Sequence, residues 1–133
     1  FLAAVKDAAP GAWVRQCGRS LPLAQRLDSP KALLLDVLSE TFRRKSTRAG
    51  IAFNPGFAGA YDMVRGREFA DAMLGFLNGL PDGGLVMCHP GFVDETLVSL
   101  DNVTHQRERE FAFLSSDGFP RLLTTNNVTL DRT

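Results

Sequence analysis

The stretch "LVMCHPGFVDE", residues 85–95, ends an apolar run on His89-Pro90-Gly91 and then places Asp94 and Glu95. "LVMC", 85–88, has the continuous apolar character of a parallel strand covered on both faces. Pro90 has no N–H with which to continue a ladder, so a strand stops there. Gly91 admits dihedrals that other residues avoid and lets a ligand come close to the backbone. In parallel α/β folds, functional groups gather at the carboxyl ends of strands. His89 stands at such an end. An imidazole titrates near neutrality and can give a proton to a leaving group or stabilise an oxyanion. Spacing alone leaves two readings open, a histidine that satisfies a turn carbonyl and a histidine in a site.

Outward from this stretch, helices and short strands alternate. Phe69, Ala72, Met73, Phe76, Leu77 and Leu80 form an apolar stripe that predicts a helix over 66–80. Pro81-Asp82-Gly83-Gly84 is a turn between that helix and the strand. Before it, "IAF", 51–53, reads as a small strand and "NPGFAGAYD", 54–62, as a Gly- and Pro-rich loop. Asp28 or Ser29 caps a preceding helix that opens on Pro30, with Leu34, Val37, Leu38 and Phe42 on one face. Arg43, Arg44, Lys45 and Arg48 close that helix, a favourable place for cations, and Gly50 ends it. "AWVRQC", 12–17, is a β-prone run carrying Arg15, and residues 1–9 are helix-like up to Pro10-Gly11. Downstream, Thr104 caps a helix over 105–115, helical turns follow at 120–124, and "VTL", 128–130, is a last short strand.

This alternation predicts an α/β fold of parallel βα units joined by right-handed crossovers. Three or four strands are too few to close an eight-stranded barrel, so the pattern fits part of a barrel or a small open sheet. The 133 residues suit a single domain, 1–133, with a modest core. Fifteen basic residues balance fifteen acidic ones, which removes the electrostatic footprint of a nucleic-acid or anionic-membrane binder. No apolar run approaches the roughly 18–20 residues that span a bilayer. Phe1 is not an initiator methionine and "FLAAVKDAAP" lacks the features of a signal peptide, so we expect a piece of a longer protein. Cys17 and Cys88 stand far apart after apolar residues, and we expect buried thiols in a reducing cytoplasm.

Several chemistries lack their motifs. No GxGxxG or GxxxxGKS follows a strand, and no GxSxG provides a serine nucleophile. His89 and His105 are the only histidines and have no paired ligand geometry, so no metal site is assigned. His105 reads as a solvated residue. Asp94 and Glu95 suit a helix start or loop as well as acid catalysis. Arg107, Glu108, Arg109 and Glu110 alternate in sign, the usual mark of a solvated helix face. The other reading is that one of them reaches back to hold the His89 loop.

Three segments, "HPGFVDETL", "LDNVTHQREREFAFLSS" and "LLTTNNVTL", together resemble the C-terminal part of YdjC-like carbohydrate deacetylases. "APGAWVRQCGRSLP" is similar to that family's strand bearing an arginine, and the wording is most similar to its hopanoid-associated branch. The resemblance extends over essentially the whole chain. It implies a distorted (β/α) TIM-like barrel that removes an acetyl group from an N-acetylated sugar or glycolipid. It also implies a divalent metal, Mg or Zn, held by one aspartate and two histidines in motifs that this sequence does not contain. His89 matches the family's HPG histidine, a candidate general acid or oxyanion donor. Arg15, Pro90, Gly91 and Asp94 are the implied substrate contacts. On this view the chain is the C-terminal half of a cytoplasmic hydrolase and is inactive alone. A non-enzymatic α/β module that binds a ligand or partner through its strand-end loops is the alternative. A half barrel would also leave edges and apolar surface that favour self-association.

Overall fold

The computed structural model describes residues 1–18, 30–63 and 68–131, with the backbone alone for residues 30–33 and 35. Its elements are α1 (Leu2–Ala8), α2 (Pro30–Ala49), β1 (Phe57–Ala58), α3 (Phe69–Leu77), β2 (Leu85–Val86), α4 (Glu95–Leu100), α5 (His105–Leu114) and α6 (Gly118–Thr125). The strands β1 and β2 form a two-stranded parallel sheet. This mixture of helices and a small parallel sheet is compatible with an α/β class. Contacts group the chain into two compact units, Phe1–Ala58 with Gly79–Leu85, and Gly59–Asn78 with Val86–Thr133.

In the first unit, α1 and α2 pack together, and Phe1 meets Phe42 with ring centroids 6.4 Å apart. The predicted strands 12–17 and 51–53 are reduced to one parallel bridge, Val14 with Phe53. The reason lies in two side-chain amides. Val14 N–H donates to the Ala52 carbonyl at 2.9 Å, as in a parallel ladder. At the next rung Gln16 N–H meets the Asn54 side-chain oxygen, at 2.8 Å, in place of a backbone carbonyl. The Asn54 carbonyl takes the Gln16 side-chain amide at 3.2 Å instead. Asn54 Nδ2 closes the exchange on the carbonyls of Gln16 and Gly56, at 3.1 and 2.7 Å. Backbone pairing therefore stops where the amides take over, yet Val14 and Gln16 still point inward while Arg15 is exposed.

The apolar face predicted on α2 exists, but it is not the buried one. Leu34, Val37 and Leu38 are each more than half exposed, whereas Asp36, Ser39 and Ser46 are buried. At Ser39 a small residue is required, because the chain at Gly18 runs hard against α2. A Cβ at Gly18 would lie 2.9 Å from that of Ser39. The basic end of α2 is partly neutralised within the helix, since Arg43 and Arg44 both bond Glu40. Glu40 is held below its usual range, chiefly by its bond to Arg43. The helix stops as predicted. Gly50 is left-handed at φ 69°, and Ile51 N–H returns to the Ser46 carbonyl at 3.0 Å. The capping roles expected of Asp28 and Ser29 lie outside the described residues.

In the second unit, α3, α5 and α6 pack around Phe69, Ala72 and Met73. Edge-on aromatic contacts knit the helices, Phe69 to Phe113 at 5.8 Å and Phe113 to Phe119 at 5.9 Å. The predicted apolar stripe thus does form a core, in a helix shorter than the predicted span 66–80. The "LVMC" strand is shorter as well, with strand geometry at 85–86 only and half-burial throughout 85–88, so it is not a strand fully covered on both faces. The predicted strand 128–130 is absent. Asn127 takes a left-handed φ of 54°, and Val128 N–H donates to the Leu123 carbonyl at 2.9 Å, which makes these residues the C-terminal cap of α6. The helix start read at Asp94 and Glu95 opens α4, whose span the sequence did not mark.

Gly59 sits left-handed at φ 108°, and a Cβ there would fall 2.1 Å from the Met87 carbonyl oxygen. Backbone, not a movable side chain, fills that space. Gly59→Ala should therefore cost about 3 kcal/mol or more of folding stability, combining backbone strain with overpacking. A lowered urea midpoint with unchanged slope would register it, and a midpoint equal to that of the parent chain would refute the close approach.

Candidate functional site

The site lies in the second unit, where β2 runs out through Met87 and Cys88 to His89. The His89 N–H, half-buried with its residue, donates to a carboxylate oxygen of Glu110. The other Glu110 oxygen accepts the Tyr61 hydroxyl at 2.6 Å. Tyr61 in turn accepts the Gln106 side-chain amide at 3.0 Å. Glu110 is fully buried and Gln106 nearly so, one helical turn apart on α5. The sign-alternating run is therefore split. Glu108 and Arg109 are exposed, as a solvated face requires, while Glu110 points inward and holds the His89 segment.

The rest of the exit is tied to the same helix. Gly91 N–H donates to the Arg107 carbonyl at 3.2 Å. The Arg107 guanidinium bonds Asp101 at 2.7 Å and the Val103 carbonyl at 2.9 Å. Asp101 also accepts Val103 N–H at 2.9 Å. This backbone bond, followed by the Arg107 bond, holds the Asp101 carboxyl below its usual range. Of the His89 ring, Nδ1 is buried and has no hydrogen-bond partner.

The structure places the remaining predicted residues plainly. Pro90 is exposed, and a Cβ at Gly91 would meet open space. Asp94 is exposed, and its carboxylate accepts Leu97 N–H at 2.7 Å as the N-cap of α4. Arg15 is exposed in the first unit. His105 is exposed, as expected of a surface histidine. Thr104 stands at the N-cap position of α5 without a side-chain capping bond. Tyr61 and Gln106 were missed by the sequence reading. Tyr61 is the sole tyrosine and lies in a stretch read as a loop, so only its rarity marked it.

Burial sets the local chemistry. It is the main cause that raises the Tyr61 phenol above its usual range, reinforced by the bond to Glu110. Burial, then the Glu110 charge, pushes the half-buried Cys88 thiol up to about 11 from 9.0. The neutral thiol is thus favoured by the fold. Its contribution to stability is complete below pH 9 and is lost as pH rises through about 11. At pH 8 Cys88 should be ionised in only about one molecule in a thousand, so it should react with a disulfide reagent far more slowly than a free thiol. Mass-resolved labelling across pH 8–11 checks this, and rapid labelling of Cys88 at pH 8 would contradict it.

A family model described as YdjC-like protein matches residues 1–125. No curated protein matches the chain, and no solved structure matches it. YdjC-like proteins are related to carbohydrate deacetylases, which supports a general carbohydrate-modifying role. With a match over nearly its full length, and with the HPG exit of β2 braced by α5, the chain belongs to the YdjC-like family.

Proposed function

We propose that the protein acts as a metal-dependent hydrolase that removes an acetyl group from an N-acetylated sugar or glycolipid. In this reading the 133 residues form the C-terminal part of a distorted (β/α) barrel and are inactive alone. One observation carries it: in a YdjC-like chain, His89 leaves β2 with its backbone fixed by buried Glu110 and its Nδ1 sealed from solvent.

In amide hydrolysis a water gives up one proton to solvent and its oxygen adds to the acetyl carbonyl, giving a tetrahedral oxyanion. The C–N bond then breaks as the nitrogen takes a proton. With Nδ1 buried, this reading assigns Nε2 of His89 to substrate. From there it donates to the oxyanion or delivers the proton to the departing amine. Arg15, Pro90, Gly91 and Asp94 are assigned to substrate contact. For Gly91 the support is that an added Cβ would meet nothing within 4 Å, and for Pro90 it is exposure.

Among the described residues, no group of three or more His, Cys, Asp or Glu side chains is placed to hold a metal ion. These residues do not fit a divalent-metal centre, and no step is assigned to one. The Mg or Zn of this reading takes its ligands from elsewhere in the full-length protein. Both cysteines are free, which accords with a cytoplasmic setting, and no described helix is long and apolar enough to cross a membrane.

The test is His89→Ala in the full-length protein, assayed on N-acetylated saccharides. Deacetylation should fall by a factor of about 10²–10⁴, the usual range for losing a positioned acid, with metal content unchanged. Activity equal to that of the parent would remove His89 from the mechanism.

A further inference from the structure

We propose that Glu110 is a positioning residue for His89, with Tyr61 and Gln106 completing its support. The inference rests on the reading that His89 works on substrate, and extends it to residues which never touch substrate.

The argument starts from desolvation. Glu110 has no solvent exposure, so both its oxygens need donors from the protein. It has one for each. Tyr61 O–H serves Oε1, and the backbone N–H of His89 serves Oε2. Gln106, 4% exposed, fixes Tyr61 from its far side. An apolar residue at 106 or 110 would pack this inward face of α5 without any such requirement. The same helix turns Phe113 into an aromatic core, so α5 is anchored independently of the polar cluster.

The bonds end on backbone at the point where it matters for the ring. Pro90 has no N–H, and the residues on either side of it both donate to α5, His89 to Glu110 and Gly91 to the Arg107 carbonyl. Every nitrogen of the His89-Pro90-Gly91 backbone is thereby accounted for by ring closure or by α5. The imidazole receives no hydrogen bond at Nδ1 to orient it. Its aim therefore derives from the backbone it projects from, and that backbone is held by Glu110.

A misplacement of about 1 Å in a reacting group costs on the order of 100-fold in rate. Glu110→Ala in the full-length protein with its metal should lower kcat by about that factor and leave KM within about twofold. Glu110→Gln offers one acceptor where two donors converge, so it should fall between parent and alanine. The decisive measurement is a double-mutant cycle with His89→Ala. If Glu110 acts through His89, then Glu110→Ala or Glu110→Gln adds little further loss once the imidazole is gone. An equal fold-loss in both backgrounds would overturn the positioning role and leave a general structural one. Should Glu110→Ala fail to fold, Glu110→Gln and Tyr61→Phe complete the same cycle. A His89→Ala variant with the parent's kcat would instead defeat the functional reading. That result is distinct from a cycle in which His89→Ala is impaired and the two losses multiply.

Discussion

The buried carboxylate of Glu110 governs the local structure around the exit of β2. A charge removed from water must be met by donors, and few arrangements supply two of them at once. Here one donor comes from a loop residue, Tyr61, and one from the main chain at His89. Satisfying the carboxylate therefore fixes the loop before α3, the end of β2 and the inward face of α5 together. Of these, the loop and the strand end lack enough regular pairing to fix themselves, while α5 is the anchored support. The strand is two residues long, and Tyr61 lies in no helix or strand.

The same cluster shapes the chemistry of its neighbours. A negative charge beside Cys88 and Tyr61 adds to their burial and keeps both groups protonated through the physiological range. They are consequently poor nucleophiles and good fillers. Enclosure thus sets the chemistry of these two groups, whatever the exit of the strand does.

Much of this was legible in the sequence, and the failures have identifiable causes. Helical periodicity located α2 and α3, because an apolar period of about 3.6 survives in any packing arrangement, whereas α5 was placed by Thr104, which makes no side-chain capping bond. The HPG exit was legible because proline and glycine impose backbone limits wherever they occur. The strands were overestimated. β propensity in "AWVRQC" and "IAF" was real, but the Gln16 and Asn54 amides capture the next rung of the ladder, a pairing that no local pattern reveals. The apolar stripe of α2 was correctly grouped and wrongly assigned to the interior, since Asp36, Ser39 and Ser46 take the inner face and the close approach at Gly18 leaves room at 39 for a small side chain only. "VTL" looked like a strand because Asn127 was not read as a helix cap. Within the candidate site, residue type and position left His89 open between a turn and a site, and the family resemblance tipped that reading towards a site. That one of the four charges holds the His89 loop was one of two readings of the run, and the sequence did not single out Glu110, because burial of one charge in four depends on which way the helix faces.

The exchange between Gln16 and Asn54 has a further consequence, for alignment of the first unit. A long ladder tolerates sliding, since a shifted strand recovers most of its bonds two residues further on. An amide-for-amide exchange has no such neighbouring solution. Moving either segment by two residues would bring Gly18 or Gly56 to the place of an amide, and neither can replace one. Alignment here is thus all-or-none, set by two side chains, and a segment with a single stable bridge attains the specificity of a much longer strand.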